Sequence, residues 1–182
     1  LSANKLLAET GMINNTMAIS PDGTKLAVGT SASTLLIYNT SNGQETAKYQ
    51  AHAGKVWKIL FADNQTLISS GEDKQIVSWD LDANTSHIIN KFSENVRAMA
   101  IDKSSNTLWA GLENGIIIQL NLNTFEKTEW EERNGDMVTQ LILNHARTLM
   151  AIGFESGTIL LWDPQNYELI ETLPGHTAQV SD

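Results

Sequence analysis

The side chains here that could do chemistry are carboxylates, hydroxyls and four histidines, and there is no cysteine among the 182 residues. Thiolate nucleophiles, disulfides and thiolate metal sites are therefore excluded. The chain has no His-Glu-x-x-His pair, no phosphate-cradling Gly-x-x-x-x-Gly-Lys loop and no zinc-type spacing. Gly153-Phe154-Glu155-Ser156-Gly157 comes near the Gly-x-Ser-x-Gly elbow of hydrolases, but its serine stands one residue late. Asp80-Leu81-Asp82 sets two carboxylates on the edge of a turn, where solvation accounts for them. Glu129, Glu131 and Glu132 around Trp130 read as the solvated rim of an outer strand, where charge blocks edge-to-edge pairing. Neither a cofactor nor a metal is expected from these patterns.

The elements that would position such groups must be short and numerous. The apolar fraction, 41%, is a little under that of an average globular domain and suits many half-buried strands. No apolar run is long enough to span a membrane, and Leu1–Ala8 lacks the features of a signal peptide. A formal net charge of −9, with Lys and Arg scattered singly, disfavours nucleic acid as a partner. The lack of cysteine fits a cytoplasmic protein. Asn-x-Ser/Thr triplets at Asn14, Asn39, Asn64 and Asn84 read as chance in a chain rich in those residues.

The sequence repeats itself. Tyr38-Asn39, Trp79-Asp80, Leu120-Asn121 and Trp162-Asp163 succeed one another in steps of 41, 41 and 42 residues. Gly29, Gly71, Gly111 and Gly153 step by 42, 40 and 42. A period of this length, with four short strands to a unit, predicts an all-β fold of successive propeller blades. Within the clearest unit, Val56–Phe61 is an inner strand with Val56, Ile59 and Phe61 turned inward and Trp57 turned elsewhere. Thr66–Ser70, Gln75–Asp80 and Ser86–Phe92 come next as the second, third and outer strands, with turns at Asp63-Asn64 and Gly71–Lys74. Val96–Ile101 and Val138–Leu143 are the matching inner strands, and in the first unit Asn14 stands where the others have Val.

Blades are accordingly expected at residues 11–52, 53–92, 93–134 and 135–176. Residues 1–10 read as the outer strand of a preceding blade and 177–182 as the start of another, so further blades are expected as neighbours and the ring is incomplete here. No unit carries an enlarged loop, which argues against chemistry grafted onto the scaffold.

These units resemble the WD-repeat family over nearly the whole chain. The markers are Ala51-His52, Asp73 in the tight turn and Trp79-Asp80 in the second unit, then Trp162-Asp163 and Gly175-His176. The resemblance implies a buried hydrogen-bonded set of His52, Ser69 or Ser70, Asp73 and Trp79. Its likeness to a Ser-His-Asp triad is formal, since the family uses it to pin a turn. At the turn-Asp position the other units have Ala32, Asn114 and Ser156, and at the His position Thr10, Phe92 and Asn134. These three units are expected to rely on apolar packing instead.

The resemblance also implies a partner-binding face. By register it takes Lys55, Trp57, Asn95, Arg97, Met137 and Thr139, with Gln179 and Ser181 further on, and Glu72, Glu113 and Glu155, with Ser31 in the first unit. Trp, Arg and Met are types that interfaces favour. The three Glu recur at one register, an acidic pattern suited to a protein or peptide of basic character. The expected role is a non-catalytic interaction scaffold, in the manner of the C-terminal propellers of large signalling proteins, an analogy of fold alone. The alternatives are a propeller-based, hydrolase-like enzyme with its catalytic groups elsewhere, or a purely structural repeat spacer.

Overall fold

The computed structural model describes residues 13–130 and 135–173. Their regular elements are sixteen strands in four antiparallel sheets, each strand paired with its neighbours in sequence. The first sheet holds β1 (Asn14–Ile19), β2 (Lys25–Thr30), β3 (Thr34–Asn39) and β4 (Glu45–Gln50). The second holds β5 (Val56–Phe61), β6 (Thr66–Gly71), β7 (Gln75–Asp80) and β8 (Thr85–Lys91). In the third are β9 (Val96–Asp102), β10 (Thr107–Leu112), β11 (Ile117–Asn121) and β12 (Lys127–Trp130). The fourth consists of β13 (Val138–Leu143), β14 (Met150–Phe154), β15 (Ile159–Asp163) and β16 (Glu168–Leu173). This is the blade architecture that the repeat predicts. The strand expected at Thr66–Ser70 runs on to Gly71, and the outer strand expected at Ser86–Phe92 lies at Thr85–Lys91, with Phe92 buried beyond it. The expected flanking pieces at residues 1–10 and 177–182 lie outside the described residues.

The chain divides into two compact units, Leu1–Lys91 and Phe92–Asp182. In the first, Ala27, Leu35 and Ile37 of one sheet pack against Ile59, Phe61, Leu67, Val77 and Trp79 of the next. In the second, Ala98, Ala100, Trp109 and Ile117 meet Val138, Leu141, Ile152, Phe154 and Trp162. The middle strands are buried on both faces and the outer strands stay exposed, as β10 and β16 show.

Both sequence markers have a physical cause. Asn39, Asp80, Asn121 and Asp163 each accept a backbone N–H from two residues on through Oδ1, at 2.8 to 3.0 Å. That side-chain bond closes the turn into the outer strand, and Asp and Asn serve equally because both supply the oxygen. Four residues after each, Gly43, Asn84, Phe125 and Tyr167 all adopt positive φ, from 54° to 73°. Gly and Asn tolerate that region, whereas aromatic residues are strained there. Of the glycine marker, Gly29, Gly111 and Gly153 share one register beside the inner-strand bulge, whereas Gly71 stands one residue on and Ser70 takes their place. Both positions are sites of close approach. A Cβ at Gly111 would collide with the side chain of Val138, and one at Gly71 with the ring of His52.

Candidate functional site

In the second sheet, β6 and β7 converge with the Ala51-His52 segment on one buried hydrogen-bonded chain. Register pairs Ser69 with Val77 and Leu67 with Trp79, placing Ser69 and Trp79 on the same sheet face. Trp79 Nε1 donates to Ser69 Oγ at 2.8 Å, and Ser69 Oγ lies 2.8 Å from His52 Nε2. His52 Nδ1 lies 2.9 Å from Asp73 Oδ1, whose second oxygen accepts the Ala53 N–H at 3.0 Å. The polarities close in one direction: indole to hydroxyl, hydroxyl to imidazole, imidazole to carboxylate. Ser70 is buried too, but alternation puts it on the opposite face, so Ser69 is the member. Burial lowers the pKa of His52, and the Asp73 carboxylate opposes that shift only in part. Ser69 has no solvent exposure, and its oxygen is already held by the indole.

The three other sheets do not rely on apolar packing alone, and this corrects the sequence expectation. Thr30 Oγ1 accepts the N–H groups of Ala32 and Thr34 in the first tight turn, each at 3.2 Å. Asn114 Oδ1 accepts from Ile116 N–H at 3.2 Å in the third. In the fourth, Ser156 Oγ accepts the Thr158 N–H at 3.3 Å, and a carboxylate from before β13 adds to it. Asp136 accepts the Ser156 N–H with both oxygens at 3.1 Å. Each sheet fixes the same turn with a different acceptor, which a search for one residue type at one position misses. Thr10 and Asn134 lie outside the described residues.

The residues expected at a partner face sit at one end of their own sheets, and a repeated backbone bond puts them there. Glu72 N–H donates to Lys55 O at 2.8 Å, Glu113 N–H to Asn95 O at 3.1 Å, Glu155 N–H to Met137 O at 2.9 Å and Ser31 N–H to Ile13 O at 2.9 Å. Just beyond, a register shift in each inner strand leaves Asn15, Trp57, Arg97 and Thr139 as the extra residue. Such a bulge re-aims a side chain that regular pleating would turn into the sheet face. Sequence reasoning picked three of these four residues by register but carried no signal for the bulge.

The three Glu differ in environment. Glu72 is exposed, and its Oε2 accepts the Lys55 N–H at 3.1 Å, while Lys55 Nζ lies 5.3 Å from the Trp57 ring centroid. Glu113 is half-buried, taking Asn95 Nδ2 at 2.9 Å and Arg97 Nη1 at 3.2 Å. Glu155 is exposed. Glu113 therefore offers an ion pair, where Glu72 and Glu155 offer carboxylates toward solvent. Met137 and Thr139 are half-buried, and Gln179 and Ser181 lie outside the described residues. Among the described residues no three His, Asp or Glu come together as a metal site. Asp80 instead spends its Oδ1 on the N–H groups of Asp82 and Ala83. Glu129 is exposed on β12 and paired with Lys127, and Glu131 and Glu132 lie outside the described residues.

Comparison with known proteins matches residues 43–80 to the family described as WD domain, G-beta repeat. WD repeat-containing protein 1 of Xenopus tropicalis is 23% identical over 96% of this chain and 30% of its own length. Periodic tryptophan protein 2 homolog of Dictyostelium discoideum is 25% identical over 78% of this chain and 15% of its own. WD repeat-containing protein 91 homolog of the same organism is 28% identical over 44% of this chain and 11% of its own. The chain thus spans well under half the length of these relatives.

Proposed function

We propose, from the premise that this chain belongs to the WD-repeat family, that it is a non-catalytic recognition module within a larger signalling or regulatory assembly. Its partner is a protein or peptide segment of basic character, met at the sheet end of Leu1–Lys91 that carries Lys55, Trp57 and Glu72. The observation that supports this most is the repeated backbone bond with its adjoining bulge, which sets Trp57, Arg97 and Thr139 at equivalent places in their sheets. A rigid strand end that presents one aromatic residue and an exposed carboxylate suits a cationic segment, with the aromatic ring giving area and the carboxylate orientation. The closed hydrogen-bond chain around Ser69 supports a non-catalytic reading, because the serine that joins a histidine and an aspartate there is used up structurally.

An array of peptides graded in Lys and Arg content tests the reading. Basic peptides should bind in preference to acidic ones, binding should weaken as salt rises, and Trp57→Ala with Glu72→Gln should lower affinity at least about tenfold, roughly 1.4 kcal/mol. Equal retention of basic and acidic peptides would sink it.

A further inference from the structure

The geometry points to a second site, independent of that face, at the strand ends of Phe92–Asp182 opposite Glu113 and Glu155: we propose that the groove between its two sheets binds a peptide segment that sets a carboxylate on Arg147 and an apolar side chain against the exposed edge of Tyr167. A cavity of about 310 Å³ opens there, between the end of β9, the turn before β14 and the turn before β16.

Arg147 is held for such a role. Its backbone has φ 59°, its N–H donates to Asn144 O at 3.0 Å, and its carbonyl accepts from Gln165 Nε2 at 3.3 Å. Its Nε lies 2.6 Å from Asp102 Oδ1. Asp102 is fixed in turn by Ser104 Oγ and N–H, at 2.8 and 2.9 Å, and by Ser105 Oγ at 2.8 Å. The ion pair thus uses only the inner nitrogen of the guanidinium. Among the described residues nothing engages Nη1 or Nη2, and the side chain is 38% exposed. Two parallel N–H groups on a positioned plane match the two oxygens of a carboxylate.

The neighbouring wall is the ring of Tyr167, equally fixed, with Trp109 buried behind it at 3% exposure. The Tyr167 ring stacks on Trp130 with centroids 4.0 Å apart and planes 8° from parallel, and it meets Trp109 at 6.3 Å. Its hydroxyl donates to Gln119 Oε1 at 3.2 Å. The repeat supplies an internal reference. At the register of Trp109 and Gln119 the corresponding groove of Leu1–Lys91 has Ala27 and Ile37, and its turn before β6, one residue shorter, has no Lys or Arg. The cation of that groove, Lys25, is occupied by Asn64 O at 3.1 Å. Of the two grooves, that of the second unit joins an aromatic wall to an open guanidinium fork. Because Asp102 balances the charge of Arg147, preference for a carboxylate rests on the paired N–H geometry more than on net charge.

The test titrates the full chain with two blocked tripeptides, acetyl-Phe-Glu-Phe-amide and acetyl-Phe-Gln-Phe-amide. The Trp109 indole N–H resonance, assigned with Trp109→Phe, reports occupancy. The Glu peptide should shift it and bind about tenfold more tightly than the Gln peptide, and Arg147→Lys should abolish that preference. Equal binding of the two peptides, no shift at Trp109, or an undiminished preference in Arg147→Lys would overturn the assignment. The comparison on the native chain decides the carboxylate claim even if the variant fails to fold.

Discussion

His52 Nδ1 lies 2.9 Å from Asp73 Oδ1, with the imidazole wholly buried and the carboxylate 13% exposed. The ring therefore sits beside a potential counter-ion yet takes up a proton less readily than in water, because burial outweighs the attraction of Asp73.

Stability should depend on pH as a result. With the folded pKa below the ordinary 6.5, the unfolded state binds the proton more tightly. The contribution of the neutral ring is thus full above pH 6.5 and declines as the pH falls toward the folded value. Carboxylates contribute in a separate range. Asp22, held at about 2 chiefly by the Ser20 hydroxyl, titrates well below that window. Urea midpoints measured from pH 8 to pH 5 should fall on acidification, and His52→Gln should flatten the decline between pH 7 and 5. A native profile that is flat there would contradict the buried, neutral ring.

Removing the hydroxyl at the centre of the chain should cost more than its size suggests. Ser69→Ala leaves the Trp79 indole N–H and the His52 Nε2 without their shared partner in a buried site. The expected loss is about 1–3 kcal/mol, with His52→Ala in the same range. The double variant should lose less than the sum, since both changes break one network. Full additivity in chemical denaturation would show that the two groups act separately.

Tyr167 holds a left-handed conformation that glycine occupies at Gly43. Tyr167→Gly relieves backbone strain but removes the stack on Trp130 and the bond to Gln119. The lost contacts should prevail, for a net destabilisation of about 1–2 kcal/mol. Asn84→Gly, with no stack to lose, should stay within about 0.5 kcal/mol. Thermal unfolding distinguishes the pair, and a stabilised Tyr167→Gly would show that strain dominates.

Close approach at Gly111 predicts a steric penalty with a specific rescue. Gly111→Ala drives a methyl group into Val138 and should cost about 1–3 kcal/mol. Adding Val138→Ala should return part of that loss, although the smaller residue alone destabilises. Absence of any rescue in denaturant titrations would place the strain elsewhere.

The fold was legible because its repeat is enforced by local chemistry. The Asx oxygen at Asn39, Asp80, Asn121 and Asp163 and the tight packing at Gly29 and Gly111 leave residue types that cannot drift far. The His52 set was legible by likeness to a family, with alternation choosing Ser69 over Ser70 only once the register was known. The bulges at Trp57, Arg97 and Thr139 left no mark in the sequence, since any residue can be the extra one. In the fourth sheet Ser156, at the turn position, was legible, but the Asp136 carboxylate was hidden because it lies 20 residues before the Ser156 N–H that it serves. Arg147 and Asp102 were equally hidden, being 45 residues apart and joined only by the packing of two sheets.

The most direct test of the recognition role is a residue-resolved footprint of a bound Lys- and Arg-rich peptide, taken by NMR on the full chain at low and high salt. The recognition role predicts shifts at the Trp57 indole and the amides of Lys55 and Glu72, all fading as salt rises. Shifts confined to the outer strands β4, β8, β12 and β16, or unaffected by salt, would contradict it.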